Sequence, residues 1–575
     1  MVATPIKTAK RLTIQTEAIA ADTTAIRSLD WDRDRFDIEF GLQNGTTYNS
    51  YLIRGEKTAL VDTSHGKFRQ LYLDTLTGII EPTAIDYLVI SHTEPDHSGL
   101  VKDLLELAPE IVVVGSKVAI QFLEDLVHQP FQRQIVKNGN TLDLGKGHVL
   151  EFVNAPNLHW PDTIFSYDRA TETLFSCDAF GMHYCSHSLF DEDLGAIEPD
   201  YRFYYECLMA PNARSVLSAM KRMDKLGTIT TVANGHGPVL RHNVAELLSC
   251  YRTWSESFTK AEKTAAVFYI SDYGWCDRLS QAVAKGITKA GVGVEMVDLK
   301  SADSHEVQEL VSRAAALAIA MPPLSGSHHQ EIASNMGAIL AAANKKQTIG
   351  MFESYGGDDE PIDPLLNKFR DLGLKEAFPP IRIKDTPTSA IYQLCEESGT
   401  DLGQTLALDR KVKARKSLDN ELDKAMGRLS GGLYILTAKK DNLTSAMLAS
   451  WVAQASFEPP GFTVAVAKDR AIESLMQFGD RFVLNILEEG KYQKLMKHFL
   501  KRFPPGADRF AEVQTQTADN GSPILTEALA YLECTVASRM ECSDHWVIYS
   551  QVTNGRVANP DAFTAVHHRK VGNYY

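Results

Sequence analysis

The segment SHTEPDHSGL, residues 91–100, places two histidines, a glutamate and an aspartate between His92 and His97. The apolar run IDYLVI, residues 85–90, leads into this segment and predicts a buried strand. On a short loop after a strand, these four side chains can converge on one point. Imidazole and carboxylate groups are common ligands of transition metals, so the segment predicts a metal site at a strand end.

Similar runs recur through residues 30–258, with helical patterns between them, and we expect each run to form a strand. The candidates are TALVDTS (58–64), IDYLVISH (85–92), IVVVGS (111–116), HVLEFVNA (148–155), TLFSCDAF (173–180) and TITTVANGHG (228–237). Polar and acidic residues gather just after these runs. Because α/β folds place their sites at strand ends, this part of the chain is where we expect the chemistry.

Further candidate ligands follow three of these predicted strands. The full set contains four histidines and three carboxylates: His92, Glu94, Asp96, His97, His159, Asp178 and His236. Carboxylates among imidazoles favour metals that change oxidation state, such as iron and manganese. Two ions that share seven ligands need a bridge, and Asp178 can supply it because a carboxylate has two oxygens. Open positions on each ion would then admit a small ligand such as O₂ or NO.

Residues 264–408 repeat a strand, loop and helix pattern. The runs are AAVFYISDYGWCDRLSQAVAKGITKAG (265–291), ALAIAMPPLSG (316–326) and KQTIGMFESYGGDDEP (346–361). They predict a doubly wound parallel sheet. The charged stretch LDRKVKARKSLDNELDKAMGRL (408–429) follows, and we interpret it as a linker that grades into a helix.

The last region, residues 425–575, is rich in β patterns separated by turns. Its strand candidates are GGLYILTAKK (431–440), GFTVAVAK (461–468), RFVLNILE (481–488), ALAYLECTVASRM (528–540) and DHWVIYSQVTNGRV (544–557). A barrel with a few helices is the natural interpretation. The three regions, 30–258, 264–408 and 425–575, are the predicted domains.

Composition limits the functional class of the chain. The formal net charge of −14 argues against a protein that binds nucleic-acid phosphates. The N-terminal residues lack the apolar stretch of a secretory signal, and no apolar run is long enough to span a bilayer. The eight cysteines form no CxxC motif and no disulfide framework, so we expect a reducing, cytoplasmic compartment.

The ligand pattern His92-x-Glu94-x-Asp96-His97, with the three later ligands, resembles the di-iron site of the flavodiiron proteins. Their N-terminal domain has the metallo-β-lactamase-like αββα fold, and zinc hydrolases of that fold have a histidine where Glu94 stands. The resemblance implies that Asp178 bridges two irons. It assigns His92, Glu94 and His159 to one iron, and Asp96, His97 and His236 to the other.

The stretch YISDYGWCDRLSQAVAKG, residues 269–286, resembles the phosphate loop of flavodoxins. The aligned N–H groups at the following helix N-terminus would meet the FMN phosphate. Cys276 stands where threonine is typical, and MPPL replaces a more polar loop. The resemblance assigns FMN contacts to Ser271, Asp272, Tyr273, Gly274, Trp275, Cys276, Pro322, Pro323, Leu324, Ser354, Tyr355, Gly356 and Gly357.

Residues 425–575 resemble the flavin reductase family, a split β-barrel that binds FMN and takes hydride from NAD(P)H. The stretches NLTSAMLASWVAQASFEPPGFTVAVA (442–467) and DHWVIYSQV (544–552) carry this resemblance. The FMN contacts that it implies are Thr444, Ser445, Ser450, Ser474 and His545.

The order of the three regions resembles the class C flavodiiron proteins, or diflavin flavoproteins, of cyanobacteria and other oxygenic phototrophs. This resemblance implies NAD(P)H- or ferredoxin-linked reduction of O₂ to water as a photoprotective electron sink. It also implies a homodimer or a hetero-oligomer with a paralogous flavodiiron protein. The alternatives are NO reduction at the same site, a zinc hydrolase-type domain regulated by redox modules, and a non-catalytic partner subunit.

Overall fold

The computed structural model describes residues 11–36, 40–259, 263–270, 275–300, 302–321, 329–354, 362–383, 386–415 and 421–569. The chain forms two compact units. The first comprises Met1–Arg33 and Asn44–Lys260, and the second comprises Asp34–Gln43 and Ala261–Tyr575. The division into domains at 30–258, 264–408 and 425–575 remains a proposal. Within the described residues, every helix is too short or too polar to cross a lipid bilayer.

The first unit contains two sheets. The strands of the larger sheet lie in the order Leu12–Ala20, Thr23–Asp30, Thr46–Arg54, Thr58–Val61, Tyr87–Val89, Val112–Gly115 and Gln132–Ile135. The smaller sheet has the order Thr141–Gly145, His148–Asn154, Ile164–Asp168, Thr173–Cys177 and Thr231–Asn234. All six strands predicted between residues 58 and 237 are present. The larger sheet begins at Leu12, upstream of the predicted domain start at residue 30.

The helices of this unit are Arg69–Ile79, Pro95–Ser98, Val101–Leu107, Lys117–Val127, Leu194–Tyr204, Ala213–Met223 and Val244–Thr259. Short helical turns lie at Gly66–Phe68, Pro82–Ala84, Tyr205–Met209 and Ala210–Asn212.

Side chains alternate between the two faces of the larger sheet and build two cores. Leu52 belongs to a cluster that includes Tyr72 and Leu123 from the outer helices. Ile53 belongs to a cluster that includes Leu150 and Phe175 from the smaller sheet. The two sheets therefore pack face to face with helices outside, which is the predicted αββα arrangement.

The second unit contains a parallel sheet with the order Gly293–Asp298, Thr264–Tyr269, Ala316–Met321, Thr348–Ser354 and Lys375–Glu376; Ile381–Ile383 also pairs with Thr348–Ser354. The order 2-1-3-4-5 is that of flavodoxin-like sheets, as the sequence predicts. The helices of this region are Trp275–Lys289, Ser304–Arg313, His329–Ala342, Ile362–Asp371 and Ser389–Arg415.

The last of these helices corrects the linker prediction. Helix Ser389–Arg415 runs past residue 408, where the sequence predicted the region to end, and a short helix follows at Glu421–Met426. Glu396 on this helix lies 2.7 Å from Lys285 and 2.5 Å from Lys289. Lys289 also pairs with Glu473, which pairs in turn with Arg539. This buried ionic network joins the flavodoxin-like sheet to the C-terminal β region.

The C-terminal region contains an antiparallel sheet of seven strands. Their order is Leu443–Ala449, Tyr434–Lys440, Arg481–Ile486, Ala530–Cys542, His545–Val557, Pro460–Ala467 and Val452–Phe457. Smaller pairings join Gly431–Gly432 to Val566–His567 and Thr515–Thr517 to Pro523–Leu525. The helical segments are Ala471–Leu475 and Gln493–Phe499. Among the described residues, no strand pairing joins the two ends of this order, so the sheet is not closed into a barrel.

The remaining short pairing, Arg35–Phe36 with Phe40–Gly41, belongs to the second unit.

Candidate metal centre

All seven predicted ligands lie at one edge of the two sheets of the first unit. His92 and Glu94 follow strand Tyr87–Val89, and Asp96 and His97 lie on helix Pro95–Ser98. His159 lies on a loop after strand His148–Asn154, while Asp178 and His236 follow strands Thr173–Cys177 and Thr231–Asn234. Strand ends thus converge as the sequence predicts.

The ligand atoms form two clusters. One contains His92, Glu94, His159 and Asp178, and another contains Asp96, His97 and His236; within each cluster the ligand atoms lie within 4.8 Å of one another. Apart from the shared Asp178, these are the two groups that the resemblance to flavodiiron proteins assigns to two irons. We therefore call the first cluster the Glu94 half and the second the Asp96 half.

Asp178 faces both halves, with one carboxylate oxygen turned to each. Its Oδ2 lies 3.1 Å from His159 Nε2 and 3.5 Å from His92 Nε2. Its Oδ1 lies 2.9 Å from His97 Nε2 and 3.2 Å from His236 Nε2. The carboxylate therefore lies between the two histidine pairs, and its bridging role stays a prediction.

Outer hydrogen bonds fix two of the imidazole rings. His92 Nδ1 lies 3.0 Å from Asp162 Oδ1, and Asp162 Oδ2 accepts bonds from the backbone N–H and the hydroxyl of Thr93. His236 Nδ1 donates to the carbonyl of Thr47 at 2.6 Å. When Nδ1 carries the proton, Nε2 presents its lone pair to the centre, as metal-bound histidines require. The Glu94 half is therefore backed by an anion, and the Asp96 half by a neutral carbonyl.

The electrostatics of the centre are set by the alternation of carboxylates and imidazoles. Burial lowers the pKa of His92, but Asp162, Glu94 and Asp178 raise it more, to about 10. Burial raises the pKa of Glu94, yet the imidazoles of His159 and His92 hold that pKa well below its usual range. Ligands must lose protons to bind a metal, so metal uptake here is coupled to proton release.

The backbone around the ligands is held in unusual conformations. Asn157, Cys177 and Phe180 have φ of 64°, 51° and 64°, in the left-handed region that non-glycine residues rarely adopt. Each lies within two residues of His159 or Asp178. Such conformations persist only where the surrounding structure enforces them, and they cluster at functional sites.

Gly235 leaves the room that the His97 side chain occupies. A Cβ on Gly235 would lie 2.6 Å from His97 Cε1 and 3.1 Å from the backbone carbon of Cys177. His97 is fully buried. Any larger residue at position 235 must therefore displace the His97 ring or the loop that carries Asp178.

The donor set suits iron. Imidazole and carboxylate ligands together favour metals that cycle between oxidation states, and a carboxylate between the two clusters suits a pair of ions. His92 Nε2 lies 3.4 Å from Glu94 Oε2, which is long for a strong hydrogen bond. A metal ion between His92 Nε2 and Glu94 Oε2 would be coordinated by both atoms. The residues present therefore fit a di-iron centre.

Several residues that support the candidate ligands were not predicted from the sequence. Asp162 lies in the same loop as His159, and its carboxylate three positions later was a readable signal. Thr47 carried no such signal, because its contribution is a backbone carbonyl. His183 is buried, with its ring centroid 4.7 Å from that of His236 and its Nδ1 2.7 Å from Thr46 Oγ1. Only the folded chain brings these residues together.

Most flavin contacts predicted for the flavodoxin-like region lie outside the described residues: Ser271, Asp272, Tyr273, Gly274, Pro322, Pro323, Leu324, Tyr355, Gly356 and Gly357. Ser354 is described only as the end of strand Thr348–Ser354. Trp275 and Cys276 open the helix Trp275–Lys289 that the sequence predicts after the phosphate loop. Trp275 is exposed and Cys276 is buried.

In the C-terminal region, two of the predicted flavin contacts, Ser450 and His545, carry buried polar atoms. The neighbouring Trp451 ring lies 5.1 Å from the His545 ring, centroid to centroid. Within the part of the chain that the structure describes, Ser450 Oγ and His545 Nε2 are buried without a hydrogen-bond partner. Because buried polar groups are normally satisfied, both atoms are suited to a bound polar ligand such as a flavin.

The other three predicted contacts of this region do not cluster in the same way. Thr444 and Ser445 are consecutive on one strand and so point to opposite faces, and Ser445 Oγ, like Ser450 Oγ, is buried without a hydrogen-bond partner among the described residues. The hydroxyl of Ser474 donates to Gln393 Oε1 at 2.6 Å and is buried. The phosphate contact implied for Ser474 stays a prediction.

The lactamase-like fold, the flavodoxin-like sheet and the paired carboxylate–histidine clusters define a metal- and flavin-dependent oxidoreductase. Two family models match the chain: the ODP family beta lactamase over residues 46–237, and the flavin reductase like domain over residues 426–574. They coincide with the sheets that carry the ligands and with the C-terminal β region.

Full-length relatives agree with this class. The chain is 72% identical to diflavin flavoprotein A 1 of Synechocystis sp. (strain ATCC 27184 / PCC 6803 / Kazusa) over 100% of both chains. A relative from Nostoc sp. (strain PCC 7120 / SAG 25.82 / UTEX 2576) is 69% identical, again over 100% of both chains. The metal-soaked Flv1 flavodiiron core from Synechocystis sp. PCC6803 is 37% identical, with a TM-score of 0.64; the match covers 69% of this chain and 99% of that core. The chain belongs to the diflavin flavoproteins, which are flavodiiron oxidoreductases.

Proposed function

We propose that this protein reduces O₂ to water at a di-iron centre, with electrons from NAD(P)H or a ferredoxin delivered through FMN. The observation that carries the proposal is the placement of Asp178 Oδ2 towards His92 and His159, and of Oδ1 towards His97 and His236. One carboxylate shared by two histidine clusters is suited to two ions rather than one. In a photosynthetic cell this reaction would act as a photoprotective electron sink in the cytoplasm.

The residues of the chain have separate tasks in this proposal. His92, Glu94 and His159 would hold one iron, Asp96, His97 and His236 the other, and Asp178 would bridge them. When bound, a di-iron centre supplies a place where O₂ can accept electrons. Asp162 and the Thr47 carbonyl keep the His92 and His236 rings aimed at the metals. The Trp160 ring packs edge-on against His92 at 5.0 Å and shields this ligand from water.

The chain would hold two flavins, one in the flavodoxin-like region and one in the C-terminal β region. We propose one FMN at the N-terminal end of helix Trp275–Lys289, where backbone N–H groups and the helix dipole favour a phosphate. A second FMN would lie in the C-terminal β region near Ser450 and His545, whose unsatisfied polar atoms could meet it. NAD(P)H would give hydride to this second flavin. We also propose a homodimer or a hetero-oligomer with a paralogous chain.

The test is the metal and flavin content of the purified protein, measured beside O₂ uptake with NADH and with NADPH. We expect two irons and two FMN per chain, and O₂ uptake without release of hydrogen peroxide. Anaerobic NO consumption is the matching arm for the alternative substrate. One zinc per chain and no iron would instead support a hydrolase-type domain and refute the proposal.

A further inference from the structure

A row of aromatic side chains leads away from the candidate metal centre. It consists of Phe180, Tyr251, Tyr205 and Trp254, and we call it the aromatic column. Ring centroids lie 4.8 Å apart from Phe180 to Tyr251, 4.9 Å from Tyr251 to Tyr205, and 5.0 Å from Tyr205 to Trp254. The first three side chains are fully buried, and Trp254 is partly exposed. The column therefore connects the interior to the surface.

The inner end of the column is tied to the proposed bridging ligand. Phe180 lies two residues after Asp178, and its backbone N–H donates to the Tyr251 hydroxyl at 3.2 Å. Its φ of 64° holds this N–H in a strained turn. A second tyrosine, Tyr204, lies near the other half of the centre, 6.0 Å from the His236 ring. One tyrosine is thus tied to the loop that carries Asp178, and another lies beside His236.

The outer end of the column is built by two helical segments. Tyr205 opens the π-helical segment Tyr205–Met209, a rare form of helix that is frequently found at functional sites. Tyr251 and Trp254 lie three residues apart on helix Val244–Thr259 and so share one face. The Arg202 guanidinium lies 4.5 Å from the Trp254 ring centroid, and Glu206 partly neutralises it at 2.7 Å.

Packing alone does not require phenols here. Burying a hydroxyl costs free energy unless it is hydrogen-bonded, and phenylalanine would fill the same space without that cost. The Tyr205 hydroxyl is paired with Ser255 at 2.9 Å and the Tyr251 hydroxyl accepts the Phe180 N–H, so the fold retains both phenols without that cost. Tyrosine and tryptophan are the side chains that lose an electron most readily among aromatic residues. The column therefore consists mainly of oxidisable rings in close contact.

We propose that the aromatic column carries oxidising equivalents from the di-iron centre to the surface when flavin electrons run short. This inference rests on the proposed function. One electron moves from Trp254 through Tyr205 and Tyr251 to the centre, which is reduced by one electron. The indole N–H proton of Trp254 leaves to water, so that a neutral tryptophan radical remains. A small cellular thiol then gives a hydrogen atom to Trp254, and two of the resulting thiyl radicals combine into a disulfide. The ligand histidines are thereby spared from oxidation.

The test maps oxidation damage rather than turnover. Iron-loaded full-length protein is exposed to O₂ with a limiting amount of NAD(P)H and no thiol, and peptides are then analysed by mass spectrometry. We expect oxygen-addition products on Trp254 in preference to Trp31, a partly buried tryptophan of the same unit outside the column. Freeze-quenched samples should show a tyrosine or tryptophan radical by electron paramagnetic resonance, and added thiol should suppress both signals.

Two variants distinguish oxidation of Trp254 through the column from direct oxidation of its partly exposed side chain by solvent oxidants. Tyr251→Phe keeps the ring but removes the phenol, and it should lower Trp254 oxidation several-fold in iron-loaded protein. It should leave unchanged the Trp254 oxidation that an external oxidant causes in metal-free protein. Tyr72→Phe is the matched control, because Tyr72 is also a buried phenol paired with a serine, Ser50, but lies outside the column.

Trp254→Phe should shift oxidation to Tyr205 and to the ligand loops, and should increase iron loss several-fold. Trp31→Phe should do neither. Equal Trp254 oxidation in metal-free and iron-loaded protein, or no change in Tyr251→Phe, would overturn the proposal. Protein with two irons and no oxidation along the column refutes the column alone. Protein that binds no iron refutes the proposed function and the column together.

Discussion

The two halves of the candidate metal centre are alike in their ligands but differ in what supports them. Each half has two histidines, one carboxylate of its own and a share of Asp178. Behind the Glu94 half, His92 is held by the carboxylate of Asp162. Behind the Asp96 half, His236 is held by the neutral Thr47 carbonyl, and His97 fits only because residue 235 is glycine. The Glu94 half is therefore supported by a negative charge behind His92, and the Asp96 half depends on the room that Gly235 leaves for His97.

Asp178→Ala should have the largest effect, because it removes the one ligand that both halves share. We expect loss of both irons and a fall in O₂ uptake of more than about 100-fold, since even outer partners of metal ligands cost about 10–100-fold. Iron analysis and oxygen electrode measurements check this. If two irons remain bound, Asp178 does not bridge them. The control is Asp103→Ala, a carboxylate on helix Val101–Leu107 away from the centre.

Glu94→Ala should disable only the Glu94 half. It removes an anionic ligand, so the remaining iron site is weaker and more positive, and water formation should fall by more than about 10-fold. Reduced flavins would then leak electrons to O₂, and hydrogen peroxide should rise. The measurement is O₂ uptake with and without catalase.

A cytochrome reduction assay run beside it should show NAD(P)H oxidation at the wild-type rate. Exposed Glu106 offers the matched control variant, Glu106→Ala. Wild-type O₂ uptake without peroxide in Glu94→Ala would mean that Glu94 is not a ligand.

Asp162→Asn tests whether the charge behind the Glu94 half matters. The amide can still accept or donate a hydrogen bond but lacks the negative charge that favours electron donation from His92. We expect iron affinity or activity to fall by about 10–100-fold. Chelator competition under anaerobic conditions measures the affinity of each half. Equal weakening of both halves would argue against the proposed asymmetry.

Gly235→Ala tests the role of space in the Asp96 half. The added methyl would overlap His97 Cε1, so we expect selective loss of one iron and destabilisation by about 1–3 kcal/mol. Gly78→Ala is the control, because a methyl group at Gly78 in helix Arg69–Ile79 would meet none of the described atoms within 4 Å. Thermal unfolding and iron content distinguish the two variants. Full iron content in Gly235→Ala would show that His97 tolerates displacement.

Thr47→Val should have the smallest effect. It keeps the carbonyl that holds His236 but removes a hydroxyl that accepts the Gly237 N–H at 2.8 Å and donates to the Gly237 carbonyl at 3.3 Å. Each lost hydrogen bond costs about 1 kcal/mol, so stability should drop modestly while iron binding stays near wild type. Denaturant unfolding gives the first value and metal analysis the second. A large loss of iron would mean that the hydroxyl, and not only the carbonyl, positions the ligand loop.

The sequence identified the clustered candidate ligands better than the residues that surround them. His92, Glu94, Asp96 and His97 lie next to one another in the chain, and strand periodicity places the later ligands at the same sheet edge. Backbone carbonyls and glycine spacing leave no mark that a single sequence can show, so Thr47 and Gly235 were missed. The helix past residue 408 was missed for a related reason. Its charged residues suggested a solvated linker, whereas several polar side chains earlier on the same helix are buried against the C-terminal β region.

That helix limits how far the chain can be treated as separable modules. Lys289, Glu396, Glu473 and Arg539 form one buried charge cluster, with members from both sides of residue 425. Removing one side breaks the Lys289–Glu473 pair, and losing one partner of a buried pair costs more than the intact pair contributes. An excised C-terminal region would keep only Arg539 as the ionic partner of Glu473. Exchanging reductase regions between relatives should succeed only when the matching face of the helix is exchanged with them.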